Sequence, residues 1–116
     1  MNKSIKVYGI KNCDTVKKAI AYLNDCDIDF QFIDFRQSPI SQQVLKKMVD
    51  SVGWELLINK RSTTYRSLSE EEKSNISYDL VLRFPTLIKR PVLIQGEKTM
   101  VGFSEHQYAK LIDGLK

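Results

Sequence analysis

The chain has 116 residues, 42% hydrophobic and 28% charged, which suits one compact domain with its own core and excludes an intrinsically disordered chain. No apolar run approaches the length of a membrane span, and the N-terminus lacks the apolar segment of a secretory signal, so residence in the cytosol is expected. The net charge of +4 is dispersed in pairs (Lys17-Lys18, Lys46-Lys47, Lys60-Arg61, Lys89-Arg90), so neither nucleic acid nor membrane is an expected partner.

Ile5 to Gly9 reads as a buried strand. A tight loop, Ile10-Lys11-Asn12, then delivers Cys13 to the opening of a helix whose Val16, Ala19, Ile20 and Leu23 recur at core-facing spacing. That placement matters chemically. The unpaired N–H groups of a helix's first turn favour negative charge, and the thiolate is the nucleophilic form of cysteine. Lys11 and Lys17 are expected to act in the same direction, and Asp14 against it. Cys26 lies thirteen positions further on. Across a helix this separates the two Cα atoms by about 20 Å, too far for a disulfide. Cys26 reads as a half-buried small hydrophobe at the helix end.

Phe30 to Phe35 is aromatic and β-rich, a second strand that completes a parallel βαβ unit. Ser41 caps a helix with Val44, Leu45, Met48, Val49 and Val52 on its buried face, and Gly53 is expected to stop it. Leu56 to Arg66 shows no period and reads as a loop. Ser69 and Glu72 form a capping box, and Tyr78 to Phe84 reads as a helix ending before Pro85. Pro91 to Ile94 and Lys98 to Gly102 form a hairpin about Gln95-Gly96-Glu97. The final helix opens with a Ser104/Gln107 capping box and a Phe103/Tyr108 staple, and it buries Tyr108, Leu111, Ile112 and Leu115.

This order predicts an α/β, thioredoxin-like βαβ-ββα core with a helical insertion, about residues 40–86, between the second and third strands of a single domain. Pro91 would then open the third strand. A cis bond there would turn the backbone of Arg90 toward the loop bearing Cys13. His106 is the only histidine, so no metal cluster or Cys/His dyad is assumed and His106 reads as solvated; Trp54 and Tyr65 read as packing residues.

Four segments carry a resemblance: Tyr8 to Ala19, Asn59 to Arg66, Lys89 to Leu93, and Val101 to Glu105. In order and spacing they resemble the ArsC-like family, and within it the YffB branch, described as glutathione-dependent thiol reductases. The resemblance implies the thioredoxin-like fold, a single nucleophilic cysteine at Cys13, and an arginine at Arg90 that holds an oxyanion or thiol substrate. It places Asn59 at an insertion-loop arginine position, with Lys60 or Arg61 as substitutes. Asn12, beside the cysteine, is a further candidate substrate contact. Glutathione is implied as co-substrate, with no bound cofactor, glutaredoxin as a partner, and a monomeric chain.

The chain departs from arsenate reductases at two places. It has Gly9 where they carry a histidine four positions before the cysteine, and Gly102-Phe103 where they carry an arginine after the fourth strand. Arsenate is therefore expected to be a poor substrate. The Spx regulators, a second branch of the family, bind RNA polymerase and use a Cys-x-x-Cys switch. Here Val16 replaces the second cysteine, and a non-catalytic, polymerase-binding regulator is the alternative reading.

Overall fold

The computed structural model describes residues 5–115. Residues 1–4, which the signal-segment reading included, and residue 116 lie outside the described residues. Along the chain run β1 (Ile5–Gly9), α1 (Asp14–Asp25), β2 (Gln31–Asp34), α2 (Gln42–Leu57), α3 (Thr63–Arg66), α4 (Glu70–Ser74), α5 (Tyr78–Arg83), a short 3-10 turn (Pro85–Leu87), β3 (Val92–Gln95), β4 (Lys98–Val101) and α6 (Glu105–Leu115). They form two compact units. One comprises residues 5–34 and 90–115 of the described chain, and the other is Phe35–Lys89.

The first unit is a mixed four-stranded sheet of order β2-β1-β3-β4 carrying α1 and α6, the thioredoxin-like arrangement. β1 pairs in parallel with β2, Gly9 opposite Asp34, and antiparallel with β3, Tyr8 opposite Val92. β2 is shorter than the expected Phe30–Phe35 because its pairing runs only from Lys6↔Gln31 to Gly9↔Asp34, where β1 ends. Ile5, Val7 and Leu93 of the sheet bury against Ala19 and Leu23 of α1 and Tyr108, Leu111 and Ile112 of α6. The helical stripes read from the sequence are therefore the faces that meet in the core.

The entry to α6 follows its local signals. Ser104 Oγ accepts the Gln107 N–H at 3.3 Å, and the Phe103 and Tyr108 rings meet edge-on with centroids 4.8 Å apart. The hairpin turn is tighter than expected. Gln95 pairs with Lys98, leaving Gly96 and Glu97 as the turn, and Gly96 takes a φ of 60° that suits a residue without Cβ.

In the second unit, α2 opens at Ser41, whose Oγ accepts the Val44 N–H at 3.2 Å. Gly53 leaves the helical conformation (φ 80°, ψ 161°), but helical turns resume beyond it and run to Leu57. The loop expected over Leu56–Arg66 is thus partly helical at both ends. The four-residue α3 is too short to show a period. It forms because Ser62 Oγ accepts the Tyr65 N–H at 3.0 Å and the Thr64 and Thr86 hydroxyls bond at 2.6 Å. Both halves of the Ser69/Glu72 capping box are present, at 3.1 and 2.9 Å. α5 stops ahead of Pro85 as its sequence requires, and α2 packs against it, with the Trp54 and Tyr78 rings 5.5 Å apart. Among the described residues no helix is long and apolar enough to cross a membrane.

Candidate functional site

Antiparallel pairing of β1 with β3 puts the end of β1 beside the start of β3, so the loop after Gly9 and the segment before Val92 share one end of the sheet. Cys13 closes that loop. Its N–H donates to the Ile10 carbonyl at 3.2 Å, and its own carbonyl accepts the Lys17 N–H at 3.0 Å, the first turn of α1. It is the N-cap of α1, in extended backbone (φ −97°, ψ 126°), and is half-buried.

Opposing influences set the thiol's acidity. Burial, the largest single influence, pushes the pKa up. The Val16 N–H, a hydrogen bond from the Arg90 side chain, the Thr15 N–H and the Arg90 charge together pull it down, and the balance lies below the ordinary thiol value. The thiolate is the form these donors stabilise. Lys11 and Lys17, expected to help, are not among the groups acting on the sulfur. Both side chains are exposed, where water screens them.

Arg90 is half-buried and joined to the buried Pro91 by a cis peptide bond, and the Pro91 carbonyl accepts the Gly102 N–H at 2.8 Å. The Arg90 Nε is buried without a hydrogen-bond partner among the described residues. Cys13 and Arg90 are thus brought together. Asn12 is exposed in the same loop. Lys60 and Arg61 belong to the second unit, both exposed. The Lys60 Nζ pairs with Glu55 Oε1 at 2.9 Å, and the Arg61 N–H donates to Asn59 Oδ1 at 3.0 Å.

Two positions explain the departures from arsenate reductases. A Cβ on Gly9 would lie 2.8 Å from Val16 Cγ2, so no side chain enters there while Val16 keeps its place. Gly102 sits at φ 80°, unfavourable for an arginine, and Phe103 is committed to Tyr22 and Tyr108, with ring centroids 5.8 and 4.8 Å away. Cys26 is exposed at the C-cap of α1, not half-buried as expected. The helix ends there, and no element covers the thiol. His106 is exposed, and among the described residues no cluster of His, Cys, Asp or Glu could hold a metal ion.

One residue at this end of the sheet was not singled out from the sequence. Asp34 Oδ2 accepts the Lys11 N–H at 3.1 Å. The available signal was an aspartate closing the strand parallel to β1.

Fold and site together define a thioredoxin-like protein with the architecture of thiol-dependent reductases. Residues 8–111 match the family model described as the ArsC family, and the chain belongs to that family. A relative from Haemophilus influenzae, itself uncharacterised, is 44% identical over 108 residues, 90% of this chain and 95% of its own. The global transcriptional regulator Spx of Lactiplantibacillus plantarum is 26% identical over 91% of this chain and 84% of its own. Among solved structures, the YFFB protein has a TM-score of 0.86 at 36% identity, covering 91% of this chain and 96% of that one. An arsenate reductase (ArsC) related protein from Brucella melitensis has a TM-score of 0.74 at 40% identity, covering 97% of each chain.

Proposed function

We propose that this protein is a glutathione-linked thiol reductase with Cys13 as its nucleophile. The observation that carries the reading is the convergence on one sulfur of the first-turn N–H groups of α1 and the Arg90 guanidinium. In the first step the Cys13 thiolate attacks the glutathione sulfur of a mixed disulfide. A Cys13–glutathione disulfide forms as the original S–S bond breaks, and the substrate sulfur leaves as a thiolate. A second glutathione, as thiolate, then attacks the glutathione sulfur of that adduct, which regenerates the Cys13 thiolate and releases glutathione disulfide. Cys26, at the other end of α1, does not resolve the adduct, so the second thiol comes from solution. Arg90, with Asn12 of the cysteine loop, holds a carboxylate of glutathione while Arg90 also stabilises the sulfur. Arsenate, a doubly charged oxyanion, is a poor substrate on this reading, supported by the crowding at Gly9 and the core role of Phe103.

Turnover of the mixed disulfide of glutathione and 2-mercaptoethanol, with glutathione and glutathione reductase supplied, tests the proposal. Activity lost in Cys13→Ser and kept in Cys26→Ser is the expected result. Wild-type protein with an alkylatable Cys13 and no turnover would overturn it.

The likeness to Spx favours a second reading, a transcriptional regulator that works by binding RNA polymerase. Such a protein would co-purify with polymerase and show no glutathione-dependent turnover.

A further inference from the structure

We infer that Asp34 is a positioning residue for Cys13: its carboxylate anchors the cysteine loop and thereby aims the α1 N-terminus and Arg90 at one sulfur. The inference rests on the reading of Cys13 as an activated nucleophile. It starts from register. Parallel pairing sets Asp34 opposite Gly9, the last residue of β1, and from there its Oδ2 accepts the Lys11 N–H at 3.1 Å. Inside the loop, the Cys13 N–H bonds back to the Ile10 carbonyl at 3.2 Å. The first tie holds the loop to the sheet edge and the second holds its curvature. Between them they set where α1 begins relative to the strand end that carries Arg90.

The geometry has to be held well, because the groups that lower the Cys13 pKa are short-range. Hydrogen bonds from backbone N–H groups and a guanidinium weaken steeply with misalignment, and the influence of a helix terminus falls off within its first turn. The charged residues in the segments around the loop include Lys6, Lys11, Asp14, Lys17, Lys18, Asp34, Arg36 and Arg90. Of these only Arg90 acts on the sulfur directly, so Asp34 works through the backbone and not through its charge.

That distinction fixes opposite signs for a test. Removing a carboxylate that merely repelled the thiolate would lower the Cys13 pKa. Removing one that positions the loop raises it. Asp34→Ala is expected to move the midpoint of Cys13 alkylation up by about 0.5–1 in pH. Asp34→Asn, whose Oδ1 still accepts the Lys11 N–H, should stay near wild type. Iodoacetamide labelling of the full chain across a pH series, read by mass spectrometry of the Cys13 peptide, reports all three proteins, with circular dichroism confirming that each is folded. A wild-type Cys13 that titrates as an ordinary thiol overturns both this inference and the reading beneath it. A depressed wild-type midpoint that Asp34→Ala leaves alone or lowers overturns the role of Asp34 only. Should Asp34→Ala not fold, an Asp34→Asn midpoint raised by about 0.5–1 in pH overturns it too, since the conservative variant keeps the acceptor.

Discussion

Replacing Arg90 by alanine removes the one side chain that both hydrogen-bonds and electrostatically favours the Cys13 thiolate. A hydrogen bond to a charged partner contributes about 1.5–3 kcal/mol, and Cys13 is only half-buried, so solvent screening reduces this to roughly 1 kcal/mol. At 1.36 kcal/mol per pH unit, that raises the midpoint by about 0.5–1. The donors from Val16 and Thr15 remain, so the thiol should not return fully to its ordinary value. The cleanest measurement is the ultraviolet absorbance of the thiolate across a pH titration in a Cys26→Ser background, where Cys13 is the sole thiol. Arg90→Lys should recover part of the shift, because an ammonium restores the charge but not the planar fork. An Arg90→Ala protein that is folded by circular dichroism and keeps the wild-type midpoint would refute the reasoning. The helix N-terminus alone would then account for the acidity.

Limiting iodoacetamide at neutral pH should label Cys13 well ahead of Cys26, although Cys26 is the more exposed thiol; peptide mass spectrometry giving equal labelling would contradict this. The pH dependence of stability has a definite sign. The folded Cys13 pKa is lowered from the ordinary thiol value, so the folded state binds fewer protons between the two midpoints. Unfolding free energy should therefore gain a contribution as pH rises through the folded midpoint, fully present above the unfolded value. This contribution is lost as pH falls and is missing in Cys13→Ser, which urea titrations at several pH values would show. Gly9→Ala should cost about 1–3 kcal/mol by urea denaturation, because its Cβ would meet the stiff, fully buried Val16 at 2.8 Å. In a double-mutant cycle Val16→Ala should remove much of that cost, and strict additivity of the two changes would show that the contact relaxes.

Much of the fold was legible because it is written in short-range signals. The stripe of Val16, Ala19 and Leu23, the serine caps at Ser41, Ser69 and Ser104, and Gly96 in the hairpin each act over a few residues, and the structure realises each of them. Cys13 at a helix opening belongs to the same class, since a strand, a short loop and a helical period place it without reference to distant residues. The failures are also local in origin. α3 is too short to carry a period, and the turns after Gly53 follow a break that sequence alone reads as an end.

What only the tertiary structure decided is the company Cys13 keeps. Arg90 reaches it because β3 runs antiparallel to β1, and Asp34 reaches Lys11, 23 residues away, because β2 runs parallel to it in a register that sets Asp34 against Gly9. Hydrophobic alternation indicates which face of a strand is buried, whereas strand order and register depend on how the whole sheet and its helices close around the core. The sequence therefore determined that a cysteine sits where a helix can make it acidic. Sheet pairing decided which arginine lies beside its thiolate.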